Sequence, residues 1–223
     1  MFIIPPRVQQ RQLLIHDILQ SAQQSGVKFV LTVGHLSAAT PPSTFLGNMG
    51  RDTEDKVRDT GIPHCSLHLE LPMDIHFADA ENLQWTNAFY YPLAPETQFN
   101  PVLNADVGEI AAAILTNWAT HVGKAYTLTG PQQISMADIA QIYSGILGRP
   151  IKFVPASHRN AILSFQGRGF HEWYAKGIVE LQERFRSPDY TSVISGDGPE
   201  LLGRPMTSFR DFVLANKQHF SSL

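Results

Sequence analysis

The hydrophobic and polar positions alternate between two periods along the chain. Residues Val27, Phe29, Val30, Leu31 and Val33 crowd into one short run that ends in Gly34-His35-Leu36-Ser37, a pattern that suits a strand buried on both faces. Before it, Leu13, Leu14, Ile18, Leu19 and Ala22 recur at helical spacing and stop at Gly26, a residue suited to the left-handed turn that closes a helix. Earlier still, Phe2-Ile3-Ile4 is a second short apolar run closed by Pro5-Pro6, which ends any strand. Strand, helix, strand predicts a parallel crossover, and ligands of open parallel sheets bind outside the carboxyl ends of the strands. That rule puts Pro5, Pro6, His35 and Ser37 on a functional rim.

The same two periods carry the reading onward. A small, proline-broken loop is expected from Leu36 to Ser43, then a helix from Thr44 to Thr60 whose Asp52, Glu54, Asp55, Lys56 and Arg58 form a solvated, salt-bridged face. His64 to Glu70 alternates as a strand and brings His68 and Glu70 to the rim that holds His35. Leu71 to Gln84 predicts a loop and a short helix, Asn87 to Pro92 a strand, and Leu93 to Leu103, with its prolines, irregular chain. An amphipathic helix follows from Asn104, then a strand at Ala125 to Thr129. Ser135 and Asp138 are spaced as a capping box for a helix that Gly148-Arg149-Pro150 stops. Ile151 to Val154 predicts a strand, and the remainder is mostly helical, including Phe170 to Phe185 and Ser208 to Phe220.

Composition narrows the function. With 223 residues, 43% of them hydrophobic and a net charge of -3, the chain has the makeup of a globular protein and lacks the basic stripe that nucleic-acid binding requires. A single cysteine, Cys65, can form neither an internal disulfide nor a cysteine metal cluster. Met1 leads into an apolar run too short for a signal sequence or a membrane span. The expectation is a cytoplasmic protein that acts on a small molecule, with no nucleic-acid, membrane or metal partner.

Several motifs, in order, resemble the NmrA-like family of atypical short-chain dehydrogenase/reductases. They are Thr53-Glu54 with Arg58 and Thr60-Gly61-Ile62-Pro63, Asp106-Val107 with Ile110-Ala111, and Gly123 to Pro131 followed by Ile134-Ser135. Leu147-Gly148-Arg149-Pro150-Ile151 and Leu202-Gly203-Arg204-Pro205 with Ser208-Phe209 complete the set. The resemblance implies a Rossmann-like α/β fold, NAD(P)H as cofactor with Pro5, Pro6 and Gly34 beside it, and oxidoreductase activity on a small organic substrate such as a secondary metabolite. It also matches Phe2-Ile3-Ile4 to the family's fourth strand. The expected fold class is therefore a truncated Rossmann-like parallel sheet: a partial core over residues 1–130, without the first strands and the Gly-rich phosphate turn, and a small α-rich C-terminal substrate lobe over 131–223. The N-terminal strand would then be an exposed edge through which copies of the chain could pair.

The rim departs from the family pattern. The family's Leu-Arg-Pro stands here as Leu67-His68-Leu69, its Asn-Phe-Phe-Met-Glu-Asn as Glu70-Leu71-Pro72-Met73-Asp74-Ile75, and a frequent helix histidine as Gly50. His35, His68 and Glu70 are the candidate catalytic residues, because a histidine with a carboxylate can shuttle a proton near neutral pH. Ser37, Pro72, Met73, Asp74, His76 and Trp173 are the candidate substrate-binding residues. The same rim suits two other readings: a cofactor-independent isomerase or cyclase working by acid–base catalysis, and a non-catalytic regulatory or binding protein.

Overall fold

A computed structural model of the protein describes residues 1–39, 44–187, 190 and 193–221. The part of the proline-broken loop expected at 40–43 lies outside the described residues. The first elements are β1 (Phe2–Ile3), α1 (Arg11–Gln24), β2 (Val30–His35), α2 (Phe45–Asp59), β3 (His64–Leu69), β4 (Leu71–Pro72), α3 (Ala80–Thr86) and β5 (Ala88–Tyr91). Next come β6 (Gln98–Phe99), β7 (Pro101–Val102), α4 (Asn104–Thr116), β8 (Ala125–Leu128), β9 (Ile134–Ser135), α5 (Met136–Leu147) and β10 (Lys152–Pro155). The chain ends with α6 (His158–Gly167), α7 (Glu172–Arg184), α8 (Asp197–Leu202), α9 (Phe209–Ala215) and α10 (Lys217–Ser221). Short 3₁₀ turns cover Leu36–Ala38, Met73–Asp79 and Trp118–His121.

These elements form two compact units. The first comprises Met1–Glu70, Ala105–Leu128 and Ser195–Pro205, and the second Leu71–Asn104, Thr129–Ile194 and Met206–Leu223. A single cut at residue 130 does not describe this division, because 71–104 belongs with the later helices and 195–205 with the sheet.

The first unit is built on a parallel sheet of order β1-β2-β3-β8. Ile15, Leu19 and Ala22, the buried stripe of α1, close over Ile3, Val30, Val57 and Ile62. Each such aliphatic side chain removed from water contributes about 1.5–3 kcal/mol. Buried Arg11 ties α1 to α2 by donating from Nη2 to Thr53 Oγ1 at 3.1 Å and to the Met49 carbonyl at 3.2 Å. At one side of the sheet, the Thr127 amide of β8 donates to Asp197 Oδ2 of α8 at 2.8 Å, so that edge is covered. At the other, β1 pairs with β2 alone among the described residues.

The second unit is held by an aromatic core in which Phe89, Tyr91, Phe99, Tyr143, Phe209, Phe212 and Phe220 are all buried. Its α5 carries the expected capping box: Asp138 N–H donates to Ser135 Oγ at 3.1 Å, and Ser135 N–H returns to Asp138 Oδ2 at 2.8 Å. Gly148 ends that helix at φ +68°, a left-handed conformation that glycine adopts without a steric cost.

Three stretches differ from the pattern reading. Leu71–Pro72 is a strand that pairs in parallel with Pro101–Val102, and Gln98–Phe99 pairs antiparallel with Ile134–Ser135. A two-residue ladder has no period to detect, and a proline at its edge loses no needed N–H. The strands at 88–91 and 152–155 pair with each other, Ala88 opposite Lys152 through Tyr91 opposite Pro155, and stand apart from the four-stranded sheet. The C-terminal helix is two helices, divided at Asn216.

Candidate functional site

The register of the sheet brings two histidines to one end of the first unit. Gly34 lies opposite His68 and His35 opposite Leu69, so the carboxyl ends of β2 and β3 finish together. The chain then turns sharply: His35 Nδ1 accepts the Ser37 N–H at 3.1 Å and lies 3.0 Å from Ser37 Oγ. Ser37 Oγ is in turn 3.1 Å from Thr44 Oγ1, which caps α2 by accepting the Gly47 N–H at 3.1 Å. Arg51 Nε donates to the Ala38 carbonyl at 2.9 Å, fastening the turn to the helix. Gly47 has no side chain because none fits: a Cβ there would overlap Ser37 Oγ and the Ser37 carbonyl.

An accepting Nδ1 makes His35 the neutral, Nε2-protonated tautomer. Electrostatics agree. Burial pulls its pKa from 6.5 to about 4, a hydrogen bond to the Glu70 backbone works the other way, and nearby His68 adds to the lowering. His35 is thus a neutral imidazole at physiological pH. The Glu70 side chain is buried, and Pro5 and Pro6 sit half-buried in the segment between β1 and α1.

His68 has a partner that the sequence reading placed in solvent. Its Nε2 lies 2.8 Å from Glu54 Oε1, with the side chains 6% and 22% exposed. The other charges of α2 are the surface pairs expected, Lys56 with Asp52 and Arg58 with Asp55. Glu54 differs because of its place on the helix wheel, beside the buried positions Gly47, Gly50 and Val57. That spacing was a signal available in the sequence. Gly34 lies beside this contact: a Cβ there would stand 3.6 Å from Glu54 Oε1, an ordinary van der Waals distance.

The remaining candidates lie in the second unit. Met73 and His76 are fully buried in its core. His76 Nδ1 is 2.7 Å from Asp79 Oδ2, and Tyr91 donates its hydroxyl to Asp79 Oδ1 at 3.1 Å. Burial and the Asp79 charge push the Tyr91 phenol well above its ordinary pKa. Asp74 Oδ2 accepts the Asn104 N–H at 3.0 Å, Pro72 lies in β4, and Trp173 is half-buried in the first turn of α7. The structure therefore assembles His35, Ser37, His68 and Glu70 with the unforeseen Glu54 and Thr44, while Met73 and His76 serve the packing of the other unit.

Among the described residues, polar walls line two cavities. One, of about 510 Å³, is lined in the second unit by Glu96, Gln98, Gln133, Arg186 and Tyr190. The other, of about 480 Å³, lies in the first unit at the amino end of β8, where His121 Nδ1 is 2.8 Å from Tyr126 OH. Neither is lined by the residues singled out above.

No family model matches the chain. It is 28% identical over 221 residues to an NAD(P)H azoreductase from Xenophilus azovorans, which covers 99% of this chain and 74% of the azoreductase. Among solved structures, an NADPH-dependent quinone oxidoreductase from Escherichia coli complexed with NADPH superposes with a TM-score of 0.79 at 22% identity, over 95% of this chain and 74% of that one. NmrA, a negative transcriptional regulator in complex with NADP, superposes with a TM-score of 0.68 at 14% identity, over 96% of this chain and 72% of that one. The fold is a Rossmann-like α/β fold, as in that quinone oxidoreductase. The same fold is shared with NmrA, to which the ordered motifs bear a resemblance. Among the described residues, no helix is long and apolar enough to cross a membrane.

Proposed function

We propose that this protein is an NAD(P)-linked oxidoreductase that reduces a small organic acceptor. The observation that carries this reading is the likeness to the azoreductase, which runs through 99% of the chain and so includes the β2 and β3 rim. The rim adds a chemical reason. Reduction of an azo or quinone group requires protons as well as electrons, and His68 with Glu54 is a proton-exchanging pair at the strand ends where substrates of such sheets bind.

The cofactor's pyrophosphate sets a separate demand, ordinarily met by a glycine-rich turn between a strand and an open helix N-terminus. Two helices of the first unit directly follow strands of the sheet. The segment before α1, Ile4 to Gln10, contains two prolines and no glycine. The start of α2 is filled by its own Thr44 and by Ser37. These residues do not fit a pyrophosphate. We therefore expect the 223-residue chain to bind NADPH weakly. A fluorescence titration tests this expectation, and a low-micromolar dissociation constant would overturn it. The functional reading has its own test: with millimolar NADPH, the purified chain should reduce azo or quinone acceptors, and no turnover with either class at that concentration would refute it.

One observation favours a second reading. The His68 and Glu54 pair needs no cofactor to move a proton, so a cofactor-independent isomerase remains chemically competent. Solvent-deuterium incorporation into a carbonyl substrate without NADPH would select it.

A further inference from the structure

The Glu54–His68 contact joins a helix to the end of a strand through two ionisable groups, one better enclosed than the other. An ionised carboxylate only accepts hydrogen bonds, so the ring nitrogen facing it, Nε2, must carry the proton. We propose that Glu54 is a positioning residue that fixes His68 in this tautomer and so reserves Nδ1 for proton exchange with the substrate. The proposal deepens the rim reading above and rests on it.

Three features support more than a structural tie. The inward spacing of Glu54 on α2, beside buried Gly50 and Val57, brings its carboxylate to 2.8 Å from His68 Nε2. The exposures run outward, 6% for the His68 side chain and 22% for Glu54, so the carboxylate is the member of the pair that meets water. The neighbouring imidazole, His35, is held neutral by burial, which leaves His68 as the rim histidine whose positive charge has a counter-ion. The proton balance closes at His68. A proton taken from the substrate onto Nδ1 makes an imidazolium whose Nε2–H stays on the Glu54 carboxylate, and Nδ1 then passes that proton to the product or to water, which restores the Nε2–H tautomer. In the opposite direction, Nδ1 takes a proton from water and delivers it to a reduced acceptor.

The test is spectroscopic and needs no substrate. In two-bond ¹H–¹⁵N spectra of histidine-labelled protein, assigned with His68→Asn, His68 should be the Nε2–H form in the wild type. It should become a mixture of tautomers in Glu54→Ala, and the melting temperature of Glu54→Gln should stay within about 4 °C of the wild type. An Nδ1–H form in the wild type, or a tautomer unchanged in Glu54→Ala, would overturn the proposal. In the reductase assay, Glu54→Ala should lower kcat at least about tenfold with KM little changed, since misplacing a catalytic group costs rate rather than binding; a fully active Glu54→Ala would also overturn it. If the wild type itself reduces neither acceptor class, the functional reading fails, and the tautomer spectra still decide the role of Glu54.

Discussion

Two histidine–carboxylate pairs of almost equal length stand in different units of this chain. His68 and Glu54 are 2.8 Å apart at the end of a parallel sheet, and His76 and Asp79 are 2.7 Å apart inside an aromatic core. Their surroundings separate them. Glu54 keeps 22% of its side-chain surface, while His76 and Asp79 keep 0% and 2%. The rings of Phe209, Tyr91, Phe89 and Tyr143 surround His76 with centroids 4.9 to 6.4 Å away. One pair can exchange protons with water. The other is a polar rivet, with Asp79 satisfied from two sides by His76 and Tyr91. Access to water, rather than pair geometry, distinguishes a site from a support.

The largest expected effect separates the pairs by stability. Asp79→Ala leaves His76 and Tyr91 without their acceptor in a dry core, and removing one partner of such a pair costs about 3–5 kcal/mol. Glu54→Gln, at a half-open rim, should cost about 1 kcal/mol or less. Urea unfolding of both variants checks this, and equal losses would erase the distinction.

The next effect is a pH dependence from the rim. Because folding lowers the His35 pKa from 6.5 to about 4, the unfolded chain takes up the proton more readily. Stability should be complete above pH about 6.5 and fall as the pH drops towards about 4. The loss is at most about 3 to 4 kcal/mol, at 1.36 kcal/mol per pKa unit. In His35→Asn, unfolding curves across that window should lose this component of the slope.

Much of this architecture was legible in the sequence, and the unread parts share a cause. The cap residues Ser135 and Gly148 and the helix start at Thr44 are local signals, fixed by backbone geometry within one turn. The two long rim strands, β2 and β3, were readable from the density of apolar residues. What escaped depends on partners far along the chain. His76 looks like a polar residue in a short turn, and only Phe89, Tyr143 and Phe209, distant in sequence, make it core. Glu54 looked solvated because its neighbours Asp52, Asp55, Lys56 and Arg58 are, although its own position on the wheel pointed inward.

Two glycines sharpen the picture of the rim. Gly47→Ala forces the start of α2 away from Ser37 and should cost about 1–3 kcal/mol, as overpacking does. Gly34→Ala meets Glu54 at ordinary van der Waals distance and should shift stability by about 0.5 kcal/mol or less. Thermal melts of the two variants rank them, and the reverse order would mean that the rim is packed differently. The smallest effect is chemical: burial lifts the Cys65 thiol to about 12, so thiol reagents should leave it unmodified until the chain unfolds.

NAD(P)-linked reduction is proposed to run through the β2 and β3 rim. The most direct measurement is the rate of acceptor-dependent NADPH oxidation, with azo and quinone acceptors at millimolar NADPH, for the wild type beside His68→Ala. Turnover is expected in the wild type, with a fall of at least about a hundredfold in His68→Ala. Equal rates in the two proteins would place the chemistry elsewhere and contradict it.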